Sequence, residues 1–240
     1  MKRILSVILA LMLCLSLFAC GKQPVESPTE PATQPPTEAP TAAPTEPATE
    51  PPTEPPLPEV GSDNYLFTFT DGQENPVLTL TASLPACESL PQIDAYYKAM
   101  YDDLYATCAL NAEEAAQRRA EFVTDGLDFT PWAVEVKCAV TCNDGKTLSV
   151  IREVYEHFGG PYPTVTCCGE TFDVATQGRL LLRDLFVEGA DYATRLPVTE
   201  PDQLNFALTG GFVLLCDGEG TVSVPLSDLS DILQPQYVTE

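Results

Sequence analysis

Apolar and polar residues alternate most regularly in the middle of the chain. From Val134 to Cys142 every second residue is apolar, and the residues between them are mostly polar or small. Such alternation is typical of a β-strand with one buried face. The residues Asn143-Asp144-Gly145-Lys146 favour a turn, and Leu148 to Phe158 is predicted to return as the antiparallel partner.

Two upstream segments, Tyr65 to Thr70 and Val77 to Leu84, alternate in the same way. Asp71-Gly72 lies between them and is typical of a turn. The pattern predicts a pair of strands joined as a hairpin.

The apolar spacing becomes helical after Pro91. Apolar side chains recur at intervals of three and four residues, at Ile93, Tyr97, Met100, Leu104 and Cys108. This spacing predicts a helix that begins near Pro91. Asn111-Ala112-Glu113-Glu114 is typical of a helix start, so a second helix is predicted from there to about Thr124, with Gly126 ending it.

The segment Phe158 to Phe186 carries another hairpin pattern. Its first half alternates as a third strand of the meander, Ala175 to Gly178 favours a turn, and Leu180 to Phe186 is predicted as a short apolar strand. Three later strands and a short helix are also predicted, at Asn205 to Thr209, Phe212 to Cys216, Thr221 to Val224, and Ser227 to about Leu233. Strands outnumber helices and cluster after them, which predicts an α+β fold with two helices packed on an antiparallel β-sheet.

The first residues have the pattern of an export signal. Positive charges at Lys2 and Arg3 precede an apolar run from Ile4 to Phe18, and Leu17-Phe18-Ala19-Cys20 resembles a bacterial lipobox. The run is shorter than the roughly 20 residues that a membrane-spanning helix needs. Residues 1–19 are therefore predicted to be a lipoprotein signal peptide, and Cys20 is the predicted lipidation site. A diacylglyceryl group on Cys20 would anchor the protein to the outer face of the cytoplasmic membrane of a Gram-positive cell.

Residues 20–60 are predicted to be a disordered linker. Between Pro24 and Pro58, 13 of 35 residues are proline, within a loose repeat of Pro, Thr, Glu and Ala. This composition favours polyproline II, which at about 3.1 Å per residue could reach roughly 100 Å. Residues 61–240 remain, and they are enough for one domain with its own core.

Negative charge dominates the chain. The formal net charge is −23, and residues 61–240 alone carry 28 acidic and nine basic side chains, a net charge of −19. This charge disfavours nucleic acid and anionic lipid, and it would attract a cationic partner. A solvated acidic surface that aids solubility is the simpler interpretation.

The domain contains an odd number of cysteines: Cys87, Cys108, Cys138, Cys142, Cys167, Cys168 and Cys216. On one strand, Cys138 and Cys142 would have Cα atoms about 13 Å apart, which is beyond the roughly 7 Å limit for a disulfide. The adjacent Cys167 and Cys168 would point to opposite faces. Buried free thiols are therefore the prediction. The one histidine, His157, lies in a predicted strand, so no metal site is predicted.

No catalytic or cofactor motif is present in the sequence. A Cys–His pair lacks any supporting pattern around His157. The carboxylate pairs Asp102-Asp103 and Glu113-Glu114 would diverge on helices, and Asp144 and Asp217 lie in predicted turns. Four tyrosines at helical spacing could form a sugar-binding platform but are more typical of half-buried core, at Tyr96, Tyr97, Tyr101 and Tyr105. No catalytic, cofactor or metal site is therefore predicted.

Three segments carry a family resemblance. The first segment ends at Phe186 and reads GGPYPTVTCCGETFDVATQGRLLLRDLF. It resembles the GGAH…YNFDLKTGKxLTLKDLF segment of the RsiV-type extracellular domain. That domain is found in bacterial lipoproteins, in the anti-sigma factor RsiV and in some peptidoglycan deacetylases. Phe206 to Leu214 is similar to that family's FYLTPEGLVFYF strand pair, and Val222 to Leu229 to its FTIPYSEL ending. The resemblance covers most of residues 77 to 235 and implies helices packed on antiparallel strands.

Departures from the family pattern limit what the resemblance implies. Pro161-Tyr162 follows Gly159-Gly160 where the family has the histidine of GGAH, and the family's long helix after the DLF step is reduced to Val187 to Leu196. Only three residues precede the apolar run, so the chain is not expected to be an anti-sigma factor. RsiV binds lysozyme, a basic protein, which suits an acidic domain.

The sequence therefore predicts a lipid-anchored, non-enzymatic binding or sensing module, expected to be a monomer, whose ligand is lysozyme or a wall component such as peptidoglycan. An envelope hydrolase with an unrecognised site and a structural lipoprotein are the alternatives.

Overall fold

The computed structural model describes residues 56–218 and 220–237. The predicted signal peptide, Cys20 and the linker up to residue 55 lie outside the described residues. Residues Pro52–Glu240 form one unit by their internal contacts. None of the helices in the described part of the chain combines the length and the apolar character needed to cross a membrane.

Five strands form the first sheet: β1 (Gly61–Thr70), β2 (Pro76–Ala86), β3 (Trp132–Asn143), β4 (Thr147–His157) and β5 (Thr164–Asp173). Their order in the sheet is the order along the chain. The two predicted hairpins, β1–β2 and β3–β4, and the third meander strand, β5, are confirmed. The turn before β4 forms because the Asp144 carboxylate accepts hydrogen bonds from the backbone N–H groups of Lys146 and Thr147.

The prediction of two helices is wrong, because one helix, α1 (Pro91–Thr124), covers both segments. Pro91 lies in its first turn, and Gly126, with a φ of 72°, follows its end. No glycine or proline interrupts the helix after Pro91, and asparagine at Asn111 costs only a few tenths of a kcal/mol in a helix interior. Ala112, which is buried against the sheet, favours continuation of the helix.

The prediction of a purely antiparallel sheet is also wrong. Strands β2 and β3 are parallel, because α1 carries the chain back to the end of the sheet at which β2 began; parallel neighbours require a long crossover of this kind. The described residues contain one α-helix and two sheets, a mixed one of five strands and an antiparallel one of three. The fold is mostly β, which corrects the expected two helices on an antiparallel sheet.

The second sheet consists of β6 (Asn205–Thr209), β7 (Phe212–Cys216) and β8 (Thr221–Pro225), which confirms the three later strands that the sequence predicted. The strand predicted at Leu180 to Phe186 is instead a 3₁₀ turn at Leu182–Leu185, in which the Asp184 carboxylate accepts the N–H of Leu181. The short helix after β8 is a 3₁₀ turn at Leu226–Leu229, and Val187 to Leu196 contains only turns.

The two sheets meet at Gly169 in β5. A Cβ atom on Gly169 would lie 2.2 Å from the carbonyl carbon of Phe206 in β6. The Thr171 hydroxyl donates to the Phe206 carbonyl at 3.0 Å and is 2.9 Å from the Ser149 hydroxyl. The first sheet therefore packs against α1 through one face and against β6 through the other.

Candidate functional site

An aromatic pair marks the end of the first sheet beside the second half of α1. Trp132 begins β3 and Phe158 follows the last residue of β4, and the register pairs Ala133 with His157. Antiparallel pairing therefore places the two rings side by side, with centroids 5.3 Å apart. Trp132 is 7 % exposed, whereas Phe158 is 38 % exposed. Trp132 therefore forms the buried floor of a site at this end of the sheet, and the Phe158 ring is partly exposed to solvent.

Gly159 allows the loop to close over the indole ring. Its φ is 73°, and a Cβ atom there would lie 2.9 Å from Trp132 Nε1. A larger residue at this position would be strained, because the positive φ favours glycine. Its Cβ atom would also clash with the indole ring. Gly159-Gly160 thus forms one wall of the hollow beside Trp132.

Two adjoining hollows, of about 500 and 410 Å³, share Arg118, Trp132 and Phe158. We call them together the Trp132 cleft. The side of the cleft that α1 provides is mostly polar, and its residues are Asn111, Glu114, Gln117, Arg118 and Glu121. The other hollow is also lined by Phe122, Asp128, Phe129 and His157.

Carboxylates outnumber cations along the rim of the Trp132 cleft. Glu114, Glu121 and Asp128 line it together with a single guanidinium, that of Arg118. Arg118 is already 3.0 Å from the Glu121 carboxylate and lies over the Phe122 ring at 5.8 Å. The rim therefore keeps a net negative charge above an aromatic floor. Aromatic faces and carboxylates both attract cationic side chains, and a few polar groups around aromatic rings are typical of ligand sites.

A second polar group of residues lies beneath α1 in the interior. Glu170 in β5 is fully buried, and its Oε1 accepts hydrogen bonds from Arg152 Nε at 3.0 Å and from the Tyr96 hydroxyl at 3.2 Å. Among the described residues, Glu170 Oε2 and the buried Tyr97 hydroxyl have no hydrogen-bond partner. No sequence pattern predicted this cluster, although Arg152 and Glu170 occupy positions of their strands whose neighbours on the same face are apolar.

Electrostatics within this cluster keep Arg152 charged. Burial alone would lower the pKa of Arg152, but the Glu170 carboxylate outweighs that effect and raises it. Burial and the same carboxylate raise the pKa of Tyr96 to about 12. The hydrogen bond from Tyr96, which belongs to α1, links the helix to Glu170 in β5.

The described residues contain no group of three or more side chains able to hold a metal ion. The seven domain cysteines are free thiols. Cys138 faces α1, where burial raises its pKa to about 12. Cys142 packs instead into the hydrophobic core formed by the second sheet and the 3₁₀ turns beside it, because the bulge between Val140 and Cys142 shifts the register and reverses the alternation. His157 lines the Trp132 cleft, and none of the other residues that line the same hollow is a cysteine.

The remaining candidate residues have structural surroundings. The tyrosines at helical spacing pack as half-buried core: Tyr101 stacks on Tyr65 at 3.8 Å, and Tyr97 is buried beside Phe172. Asp217 accepts the backbone N–H of Gly220 across its turn. The carboxylate pairs at 102–103 and 113–114 are exposed, and of these four residues Glu114 lines the Trp132 cleft.

Solved structures of other proteins share the fold of this chain. No protein-family model matches the sequence, and no curated protein matches it. A DUF3298 family protein from Pseudomonas aeruginosa PAO1 matches with a TM-score of 0.51 and 17 % identity over 78 % of this chain and 99 % of that chain. The chain is similar in fold to DUF3298 proteins. A second member, from Bacteroides fragilis NCTC 9343, matches with a TM-score of 0.52 and 14 % identity over 74 % of this chain and 94 % of that one.

This DUF3298-like fold accounts for the location of the Trp132 cleft but does not assign it an activity. The cleft depends on the parallel return of β3 beneath α1, which sets Trp132 below Glu114 and Arg118. No sequence pattern predicted the cleft. The available signals were the single tryptophan of the chain and its pairing across the predicted hairpin with the residues before Gly159.

Proposed function

We propose that the chain is a cell-envelope lipoprotein that acts as a non-enzymatic extracellular binding or sensing module, with the Trp132 cleft as its ligand site. The observation that carries the proposal is the combination of the Trp132 and Phe158 rings with a carboxylate-rich rim. The ligand we favour is a cationic protein of the lysozyme kind, because its lysine and arginine side chains suit both features.

The charge balance of the whole domain supports a cationic ligand. Six of the nine basic side chains already pair with carboxylates of the same chain: Lys98, Arg118, Arg119, Lys137, Arg152 and Arg195. Most of the remaining charge is therefore negative and exposed. Such a surface raises the association rate with basic proteins and makes it sensitive to salt.

The resemblance to the RsiV-type domain supports the same proposal, and the DUF3298-like fold does not conflict with it. The segment that carries the resemblance begins at Gly159-Gly160, which forms a wall of the Trp132 cleft. Pro161 and Tyr162 stand where that family has its histidine, and Tyr162 is 84 % exposed two residues after Gly160. A wall component such as peptidoglycan is the other ligand that an aromatic and polar cleft would suit.

Capture experiments test the proposal. The soluble fragment Pro52–Glu240 is expected to retain lysozyme at 50 mM salt and to lose most of it at 500 mM, because screening shortens the reach of exposed charges. Purified peptidoglycan is the parallel bait. Failure to capture either at low salt would contradict the proposal, and cleavage of peptidoglycan would favour the hydrolase alternative.

Two substitutions in the cleft should weaken capture. Glu114→Lys reverses a rim charge, and Phe158→Ala removes the exposed ring; each is expected to raise the Kd for lysozyme about tenfold. Asp103→Lys is the matched control, since Asp103 is an exposed carboxylate in the first half of the same helix. An equal loss of affinity in Asp103→Lys would show that binding depends on total charge and not on the Trp132 cleft.

Lipid anchoring of Cys20 is a separate part of the proposal. Cys20→Ala is expected to release the protein from the membrane fraction into the medium, because the two acyl chains supply the stable anchor. Fractionation followed by immunoblotting measures the distribution, and metabolic labelling with a fatty acid follows acylation. Continued membrane retention of the variant would count against lipidation at Cys20.

A further inference from the structure

The thiols of Cys167 and Cys216 come together where the two sheets approach one another. Cys167 lies in β5 and Cys216 ends β7, and their Sγ atoms are 4.0 Å apart. The backbone holds them there, because the N–H of Cys167 donates to the carbonyl of Gly218 at 3.1 Å and the two residues form an antiparallel bridge. Two cysteines distant in sequence are thus positioned by main-chain contacts from both sheets.

The alternation of β5 separates Cys167 from the neighbouring thiol. Cys168 points towards α1, where burial raises its pKa and Arg152 and Glu170 are its charged neighbours. Cys167 points to the opposite face, towards the second sheet. A bond between adjacent cysteines is therefore disfavoured by strand geometry, whereas the contact with Cys216 is direct.

We propose that Cys167 and Cys216 form a disulfide that joins the two sheets when the protein meets an oxidising disulfide outside the cell. A disulfide has its sulfurs about 2.05 Å apart and its Cα atoms within about 7 Å. The two thiols are already in contact, and rotation of their side chains would bring the two sulfurs to bonding distance. Such bonds form and persist in proteins that are exported to oxidising surroundings.

The chemistry is two thiol–disulfide exchanges with a low-molecular-weight disulfide such as glutathione disulfide. The thiolate of the partly exposed Cys167 attacks one sulfur of the oxidant, which forms a mixed disulfide and releases one glutathione thiol. Cys216 then loses its proton and attacks the Cys167 sulfur, which releases the second glutathione thiol. The two cysteines are oxidised by two electrons and glutathione disulfide is reduced to two thiols.

The order of the two attacks follows from burial. Cys216 is 2 % exposed, and burial together with the neighbouring Cys167 raises its pKa to about 12. It is therefore a poor first nucleophile, because the thiolate is the reactive form. Once Cys167 carries the mixed disulfide, proximity makes the intramolecular attack by Cys216 favourable.

Thiol counting on the full chain, purified from the membranes of cells that export it, tests the proposal. After reduction and treatment with glutathione disulfide, two of the seven domain thiols are expected to become resistant to alkylation, and a peptide linked through Cys167 and Cys216 should appear in the mass spectrum. The oxidised protein should melt about 5–15 °C higher than the reduced one, because the bond closes a long loop of the unfolded chain.

Variants distinguish the proposed bond from its alternatives. In Cys216→Ser, Cys167 is expected to keep one glutathione as a trapped mixed disulfide, whereas Cys168→Ser should form the linked peptide as efficiently as the unmodified chain. A stable glutathione adduct on Cys167 of the unmodified chain, a linked peptide with a different cysteine, or seven thiols that all remain alkylatable would overturn the proposal. These readouts do not depend on any ligand of the Trp132 cleft.

Discussion

Gly169→Ala is expected to lower the free energy of unfolding by about 3 kcal/mol or more, near the upper end of the usual cost of overpacking. The added Cβ would lie 2.2 Å from the Phe206 carbonyl carbon and 2.6 Å from the Ala207 nitrogen. Both obstacles are backbone atoms of β6, so they cannot move without displacing the strand. The substitution therefore acts on the contact between the two sheets, and the Thr171 hydrogen bond to Phe206 should weaken with it.

Urea unfolding followed by the fluorescence of Trp132 measures the effect, because Trp132 is the only tryptophan and is buried in the folded state. Gly72→Ala is the matched control. Gly72 lies in the turn between β1 and β2, and a Cβ there meets nothing within 4 Å. If the two variants unfold within about 0.5 kcal/mol of each other, the range usual for surface substitutions, the close approach of β6 to Gly169 is incorrect.

The local elements of this fold could be predicted from the sequence because local chemistry determines them. Alternation located β3 to within a few residues, and the Asp144 turn after it forms by hydrogen bonds over two and three residues. Pro91 and Gly126 marked the beginning and end of helical structure correctly. Each of these features depends on residues that are close together along the chain.

Features that depend on distant partners could not be predicted in this way. Alternation does not give strand direction, so the parallel pairing of β2 with β3 was missed. The pattern at 111–114 is typical of a helix start, but burial of Ala112 and Ala115 against the sheet continues the helix through it. Leu182 and Leu185 are apolar because a core buries them, and they do not lie in a strand.

The same distinction holds for the candidate sites. The opposite orientations of Cys167 and Cys168 followed from strand alternation, whereas the partner of Cys167 belongs to the second sheet and lies 49 residues away. The Trp132 cleft needs a helix, a parallel crossover and a hairpin register together. Its residues therefore carried no motif, and only the single tryptophan and its position opposite the residues before Gly159 could have directed attention to the start of β3.

Arg152 and Glu170 show how a charged pair can belong to the core. Glu170 is fully buried, and the side chain of Arg152 is 23 % exposed. Their Nε–Oε1 contact of 3.0 Å and the hydrogen bond from Tyr96 join β4, β5 and α1. Transfer of two charges out of water is costly, so such a pair adds little net stability compared with apolar residues of the same volume. Loss of one partner is a different matter, since it leaves the other charge buried without compensation.

Arg152→Met is therefore expected to lower the free energy of unfolding by about 3–5 kcal/mol, the usual cost of breaking a buried ion pair. Methionine keeps much of the apolar stem of arginine, so the loss reports the uncompensated Glu170 carboxylate. Chemical denaturation at pH 7 measures the change. Tyr96→Phe is the milder comparison, because it removes only one neutral donor from the same carboxylate and should cost about 1 kcal/mol.

The double variant Arg152→Met/Glu170→Leu decides whether the buried charge is the cause. With both charges gone, stability should return to within about 1–2 kcal/mol of the unmodified chain, since apolar replacements of a buried pair are often neutral. With Glu170→Leu as the second single variant, the double-mutant cycle would then give a coupling energy of at least about 1 kcal/mol. If the losses of the two single variants simply add, Arg152 stabilises the domain through the packing of its side chain and not through its charge. Recovery in the double variant would instead establish that the loss in Arg152→Met comes from the buried Glu170 carboxylate left without a compensating charge.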